Sequence, residues 1–474
     1  MSLYQDLVNR NMHASGIGVA GVLSLESAAI AACDVARSDI EELHAINEDS
    51  QRISGEIHQG AVLSSGIDNL IDDTIEAYGK DGIDERGAEL MRLSVEALIR
   101  ASGLPLHIDA VVPSFEKGVK FTDYSVEAEE KKNGIIQRLL SFLRSAWERL
   151  TVVVKRYYDK LRTSTTSLET YVKAVDARVG KLSGATPDKT IKINEKIALV
   201  LAGEAPGRAL TNTVTTYAKF TAGVQADLGA VGAIPKLSLP ASEAQVGAWL
   251  TKLDEALGGS WMTGLQRLAN AAFATGHRFE VTHSAAVGSL QEHGTDRTPL
   301  VGATAKVVAD TSAKHPTEVH FPTLGELKEA AGVAVHSVES LKKVEDIVGK
   351  WISGSTAAVG TLKLIETNFN NNIQASIVAR MNTEQNKKAI AALKSHMAAN
   401  DIFGKAYTLT LPIVMDQIRT VTRFVDSCSS HVAHAALKDV KSAGGSSNPR
   451  LTHQEGEHSH EYTPFTEVKS KEHA

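Results

Sequence analysis

Residues 129–162 read EEKKNGIIQRLLSFLRSAWERLTVVVKRYYDKLR, and this stretch decides the fold class. Ile135, Ile136, Leu139, Leu140, Leu143, Trp147, Leu150, Val154, Tyr157, Tyr158 and Leu161 recur with the 3.6-residue period of a helix and form a broad apolar stripe. The opposite face carries Lys131, Lys132, Arg138, Arg144, Arg149, Lys155, Arg156, Lys160 and Arg162 with few acids between them. Three readings of that face stay open. It is a solvated face of a helix packed on its neighbours by the stripe, or a row of phosphate contacts for nucleic acid, or a cationic face lying on an anionic membrane surface, with Phe142 and Trp147 beside it.

Working outward, a Thr/Ser-rich break separates this helix from a second, Leu168–Leu182. Helical patterns resume at Asn194–Ala226, Ser242–Leu257, Trp261–Thr275, Thr323–Lys350, Ser355–Arg380, Thr383–Ala399 and Pro412–Lys438. Residues 278–321 are β-branched in short runs cut by Gly and Pro, which predicts a small β-rich insertion. The polar end of the chain, residues 441–474, is expected to be a disordered tail.

Upstream, residues 24–57 predict an acidic amphipathic helix with Ile30, Val35, Ile40, Leu43 and Ile46 on its apolar face. Helices Ile67–Tyr78 and Asp84–Ala101 follow, the last stopped by Gly103 and Pro105. Pro105, Pro113 and Gly118 then mark an extended connector. The expected organisation is an acidic helical unit over 1–103, the connector over 104–127, a helical body over 128–440 and the tail.

Charge divides at the same place. Residues 1–127 hold 9 Lys and Arg against 22 Asp and Glu, a net of −13; the remainder holds 41 against 34, a net of +7. Such asymmetry speaks to partners rather than to fold. Aromatic residues are 5% of the chain, so Ala, Val, Ile and Leu must fill its cores, which suits helical layers. Cys33 and Cys428 make no disulfide framework. The N-terminus lacks the apolar run of a signal peptide and no stretch is long and apolar enough to span a bilayer, so a soluble chain made in the cytoplasm is expected.

The chemistry-bearing motifs are weak. Gly16, Gly18 and Gly21 match GxGxxG, but the string follows no strand and meets no acid on a next strand. His431 and His434 share a helix face, and His453, His458 and His460 lie near Glu455, Glu457 and Glu461 in the tail, without the preorganisation of a metal site. No phosphate-binding GxxxxGK[ST] and no nucleophile elbow occur. A non-enzymatic protein without cofactor or metal is expected.

Ser125, Val126, Glu127 and Ala128 stand where the connector enters the basic helix, twelve residues after Pro113-Ser114-Phe115-Glu116. An acidic N-terminal segment, a Pro-Ser-x-Glu stretch, a Ser-x-Glu tripeptide and a following amphipathic basic helix together resemble the internal head proteins of phiKZ-like jumbo phages. The resemblance covers about a sixth of the chain. It implies a prohead protease cutting after Glu127, so that 1–127 is a propeptide. It also implies a virion protein inside the capsid, with other head proteins and packaged DNA as partners, that can be ejected with the genome into the next host. Ser-x-Glu also occurs before residues 26, 56, 96, 169 and 339; Glu26 and Glu169, near expected helix starts, are possible secondary cuts, whereas Glu127 follows the Pro/Gly connector and sits on accessible chain. Ser125 can equally cap the basic helix. The reading from another class is a membrane-active helical protein of pore-forming type, with residues 278–321 as its β-tongue, against which stand the charged residues of that stretch.

Overall fold

The computed structural model describes residues 19–78, 85–102, 121–232, 267–282, 304–309, 315–372, 401–443 and 465–467. These residues form seven helices with defined bounds, a further helical run over 401–408 that carries Asp401, and two small antiparallel sheets. The expected helices at 242–257 and 383–399 lie outside them, as do most of the connector and most of the tail.

Two sixty-residue helices dominate. The first, α1 (Val19–Tyr78), joins the two helices expected at 24–57 and 67–78. Its buried face follows the aliphatic reading at Ile40, Leu43 and Ile46 and departs from it at the front of the helix, at Ile30 and Val35. Ala29, Ala32, Cys33, Ala36, Ile40, Leu43, Ile46, Ile53 and Ile57 are buried, whereas Ile30 is 52% and Val35 38% exposed. Small alanines at the front of the helix permit a close approach that bulky Ile30 and Val35 would block, so packing overrides hydrophobicity. At about 1.5–3 kcal/mol per buried side chain, Ile40, Leu43, Ile46, Ile53 and Ile57 alone gain on the order of 10 kcal/mol before ordering costs. A short helix, α2 (Glu85–Ser102), leans on α1 where Gly66 leaves room: a methyl there would lie 3.2 Å from Leu98 Cδ2.

The second, α3 (Phe121–Gly180), runs through the predicted break at 163–167. Four of the five hydroxyls there turn back onto their own helix: Thr163 donates to the Asp159 carbonyl at 3.2 Å, Ser164 to Lys160 at 2.8 Å, Thr165 to Leu161 at 2.9 Å and Thr166 to Arg162 at 2.8 Å, while Ser167 donates to Asp39 of α1. Satisfied in this way, Ser and Thr cost propensity without ending the helix. The stripe holds from Leu150 onward through Val154, Tyr157, Leu161, Leu168, Tyr171, Val172, Val175 and Val179, all buried. The connector expected to stay extended to Glu127 is helical from Phe121, because no Pro or Gly interrupts Val119–Asn133.

Strand β1 (Thr190–Ile193) precedes helix α4 (Glu195–Leu201), with which the single helix expected over Asn194–Ala226 begins before it breaks in two. Asn194 caps α4, its Oδ1 accepting the Ile197 N–H at 2.9 Å. Ala202 (φ 50°) and Gly203 (φ 81°) then turn the chain left-handed, and Pro206 opens α5 (Pro206–Gly232) as a first helical residue should. Strands β2 (Ala271–Ala274), β3 (His277–Thr282) and β4 (Thr304–Ala309) make one sheet in that order. The Ala-rich β2 falls inside the helix expected at 261–275. Its alanines read as helix formers, but Asn270 (φ 64°) ends the preceding turn and Gly276 (φ 68°) folds the strand back on β3. Phe273 and Phe279 are fully buried against Phe220 of α5, ring centroids 5.8 Å away in each case.

The third component of the expected insertion, β5 (Glu318–His320), pairs instead with β1, far upstream. The other edge of β1 is taken by β6 (Phe465–Glu467), with Ile191 opposite Glu467 and Ile193 opposite Phe465. That stretch lies in the region read as tail, which therefore returns to the body at one point.

Helix α6 (Leu324–Asn372) passes unbroken through the gap expected at 351–354. It opens on a reciprocal cap: the Thr323 N–H donates to Glu326 Oε2 at 2.8 Å, and the Glu326 N–H to Thr323 Oγ1 at 3.2 Å. The last helix, α7 (Leu411–Ala443), is buried on nearly all sides through residue 433 and is packed on by α1, α3, α4, α5 and α6. It is the central post of a helical body, and α1 belongs to the same core as α3 and α7.

Candidate functional site

The most extensive packing between described elements joins the acidic α1 to the basic α3. The two run antiparallel, and their charges meet rung by rung. Glu56 accepts Arg149 at 2.8 Å, Glu42 lies 3.8 Å from Arg156, and Lys160 reaches both Asp39 at 2.7 Å and Glu42 at 2.6 Å. Asp39 is buried; besides Lys160 it accepts the Ser167 hydroxyl, and its backbone carbonyl accepts Ser164 Oγ at 3.2 Å. Burial alone would lower the Lys160 ammonium, but the hydrogen bonds to Asp39 and Glu42 outweigh it and hold the group above its usual range.

Of the cations singled out from sequence, Arg149 and Arg156 are thus engaged by the chain's own acids. Lys155 is exposed, as is Arg162, in a stretch that also exposes Glu148 and Asp159. Lys131, Lys132, Arg138 and Arg144 lie on the upstream half of α3, where only the backbone path is described. Ser125, Val126, Glu127 and Ala128 fall in the first turns of the same helix rather than in an extended connector. Glu26 and Glu169 differ from Glu127. Glu26 lies within α1, 4.0 Å from Arg178, and Glu169 within α3, holding Lys173 at 2.8 Å and Lys342. Burial would raise the Glu169 carboxyl, but Lys173 and Lys342 prevail and lower it.

A second cluster went unread in the sequence. Arg178 is fully buried near the end of α3. It donates to Asp426 Oδ1 at 2.6 Å, to the Asp426 carbonyl at 2.9 Å and to Ser430 Oγ on α7, with Glu26 of α1 at 4.0 Å. Burial pushes the Asp426 carboxyl up to about 6 despite the guanidinium beside it. The available signal was phase: Arg178 falls in the stripe Tyr171, Val172, Val175, Val179, where a cation needs a partner. This cluster ties the acidic helix, the basic helix and the central post together.

A family model described as phiKZ-like phage internal head proteins matches residues 38–405. The chain belongs to this family. No curated protein and no solved structure matches it. As an internal head protein it has a structural place inside the virion head, and the match starts within α1, so most of the acidic helix lies inside the region the family model covers.

The remaining motifs of this internal head protein make no reactive constellation among the described residues. No group of three His, Cys, Asp or Glu stands where it could hold a metal ion. His431 and His434 separate, the first beside Phe321 and Lys189, the second 3.9 Å from Glu26. Cys33 and Cys428 are both buried and free. Gly21 belongs to α1, while Gly16 and Gly18 lie outside the described residues, as do His453, His458 and His460. Among the described residues no helix is long and apolar enough to cross a membrane.

Proposed function

We propose that this internal head protein is a non-enzymatic structural component that a prohead protease cuts between Glu127 and Ala128, severing an acidic propeptide from a basic body. The body then meets packaged DNA through phosphate contacts alone and can accompany it on ejection. The observation that carries this reading is the pairing of α1 with α3: the acidic segment supplies the counter-charges of the basic helix before any polyanion does. Asp39, Glu42 and Glu56 stand where phosphates would stand. The cations offered to DNA are Lys131, Lys132, Arg138 and Arg144 at the end of α3 next to the cut, together with Lys155. A cut there also adds a free amino group at Ala128.

Duplex-DNA binding by the cut protein, followed as affinity against salt, tests the reading. Each phosphate contact contributes about 0.9 to the slope of log affinity on log salt. Replacing Lys131, Lys132, Arg138 and Arg144 by Ala therefore flattens the slope by about 3 to 4, with no change between DNA sequences. A slope that the four replacements leave unaltered refutes DNA contact by this helix.

A further inference from the structure

We infer that cutting at Glu127 does not by itself release the acidic segment: residues 1–127 stay docked as a second chain on the face that α3 and α7 present to α1. The inference takes from the processing reading only the position of the natural cut; the docking is a property of the α1 surface.

Three observations carry it. First, the buried face of α1 runs from Ala29 to Ile57 and shares one core with Leu150, Val154, Tyr157 and Leu161 of α3. An α3 without α1 would show water a stripe of Leu, Val and Tyr that is now fully covered. Second, the polar links across the interface are distributed along its whole length. Arg149–Glu56 and the Ser54 hydroxyl on Asp401 Oδ2 (2.6 Å) lie at one end, Lys160–Asp39 in the middle, and Arg178 with Glu26 at the other. Third, the cut lies away from all of them. Glu127 precedes Arg149 by 22 residues of continuous helix, about 33 Å at 1.5 Å per residue. Hydrolysis there breaks the covalent tether and none of these described contacts. What is lost is effective concentration, which a fully buried apolar face does not need at ordinary protein concentrations.

The consequence is specific. Arg149, Arg156 and Lys160 remain engaged with acids after the cut, so the change from the whole chain's −6 to the body's +7 is not realised by hydrolysis alone. A second event, such as further digestion of 1–127 or displacement by another head protein, must strip α1 from the body.

The test uses the full chain with the recognition sequence of a site-specific protease inserted after Glu127. The uncut protein is first shown to match the parent in helicity and elution volume. It is then cut to completion and examined by size-exclusion chromatography and native mass spectrometry at low micromolar concentration, in 0.15 M and in 1 M NaCl. The inference predicts one species holding both fragments one to one at both salt concentrations, separating only in denaturant. Separate elution of the fragments at either concentration overturns it. In the same cut protein, Leu43→Asp with Ile46→Asp is expected to release the N-terminal fragment, whereas retention by that variant would show that the α1 core face is not what holds it. Because the cut is engineered, a failure here is distinct from a failure of natural processing, which protein taken from virions reports.

Discussion

Replacing Asp426 by Ala isolates the buried cluster that joins three helices. Arg178 is 0% exposed and takes its charge partner from Asp426 at 2.6 Å; Ala leaves the guanidinium with the backbone carbonyl, Ser430 and Glu26 at 4.0 Å. Guanidinium cannot neutralise itself by losing a proton, so the loss is the full one for breaking a buried pair, about 3–5 kcal/mol. The reverse deletion is unequal. Arg178→Met leaves Asp426, whose carboxyl already sits at about 6 through burial and rises further without its cation. It then takes a proton at neutral pH, and the cost falls to about half of that for Asp426→Ala. Removing both charges, as Arg178→Met with Asp426→Leu, brings stability back to within about 1 kcal/mol of the parent or above it. Urea unfolding at pH 7, read by helical circular dichroism, measures all three. Equal losses for the two single replacements, or a double replacement worse than either, would refute the reasoning.

The same carboxyl sets a pH dependence. Its folded value of about 6 lies above the usual Asp value near 3.9, so the folded state takes up a proton first between them. That stabilisation is fully present below about pH 4 and is lost as pH rises through about 6. Relative to Asp426→Asn, the parent should therefore lose about 3 kcal/mol between pH 4 and pH 7; an equal profile for both would contradict it. Gly276→Ala meets a left-handed φ of 68°, with the tip of Leu199 free to shift from the added methyl, and should cost about 1–2 kcal/mol by thermal unfolding. Thr323→Ala removes the reciprocal cap of α6 and should cost about 1 kcal/mol in the same assay.

Helical class was legible because it rests on period, and the stripe of α3 from Leu150 to Leu161 is buried as its spacing requires. Element ends were less so, because they are decided by what the sequence pattern does not weigh. The hydroxyls of Thr163 to Thr166 fold back onto the helix instead of ending it. The alanines of β2 take strand geometry because His277–Thr282 offers them a ladder. Partnering was the least legible. Ile30 and Val35 outrank Ala29, Ala32 and Ala36 in hydrophobicity, yet only small residues let α1 lie close. Likewise the row of cations left a solvated face, nucleic acid and a membrane surface open, while part of it is met by the chain's own acidic helix, more than a hundred residues upstream of Lys160. The pairing of β1 with Glu318–His320 and with Phe465–Glu467 joins segments that no local pattern connects.

The covalent state of the chain at Glu127 in assembled heads decides whether the acidic segment is a propeptide. Mass spectrometry of protein from purified virions, with terminal amines labelled before digestion, reads that bond directly. A labelled amino terminus at Ala128 and no peptide spanning Glu127–Ala128 are expected. Abundant spanning peptide, with no terminus at Ala128, would contradict cleavage there.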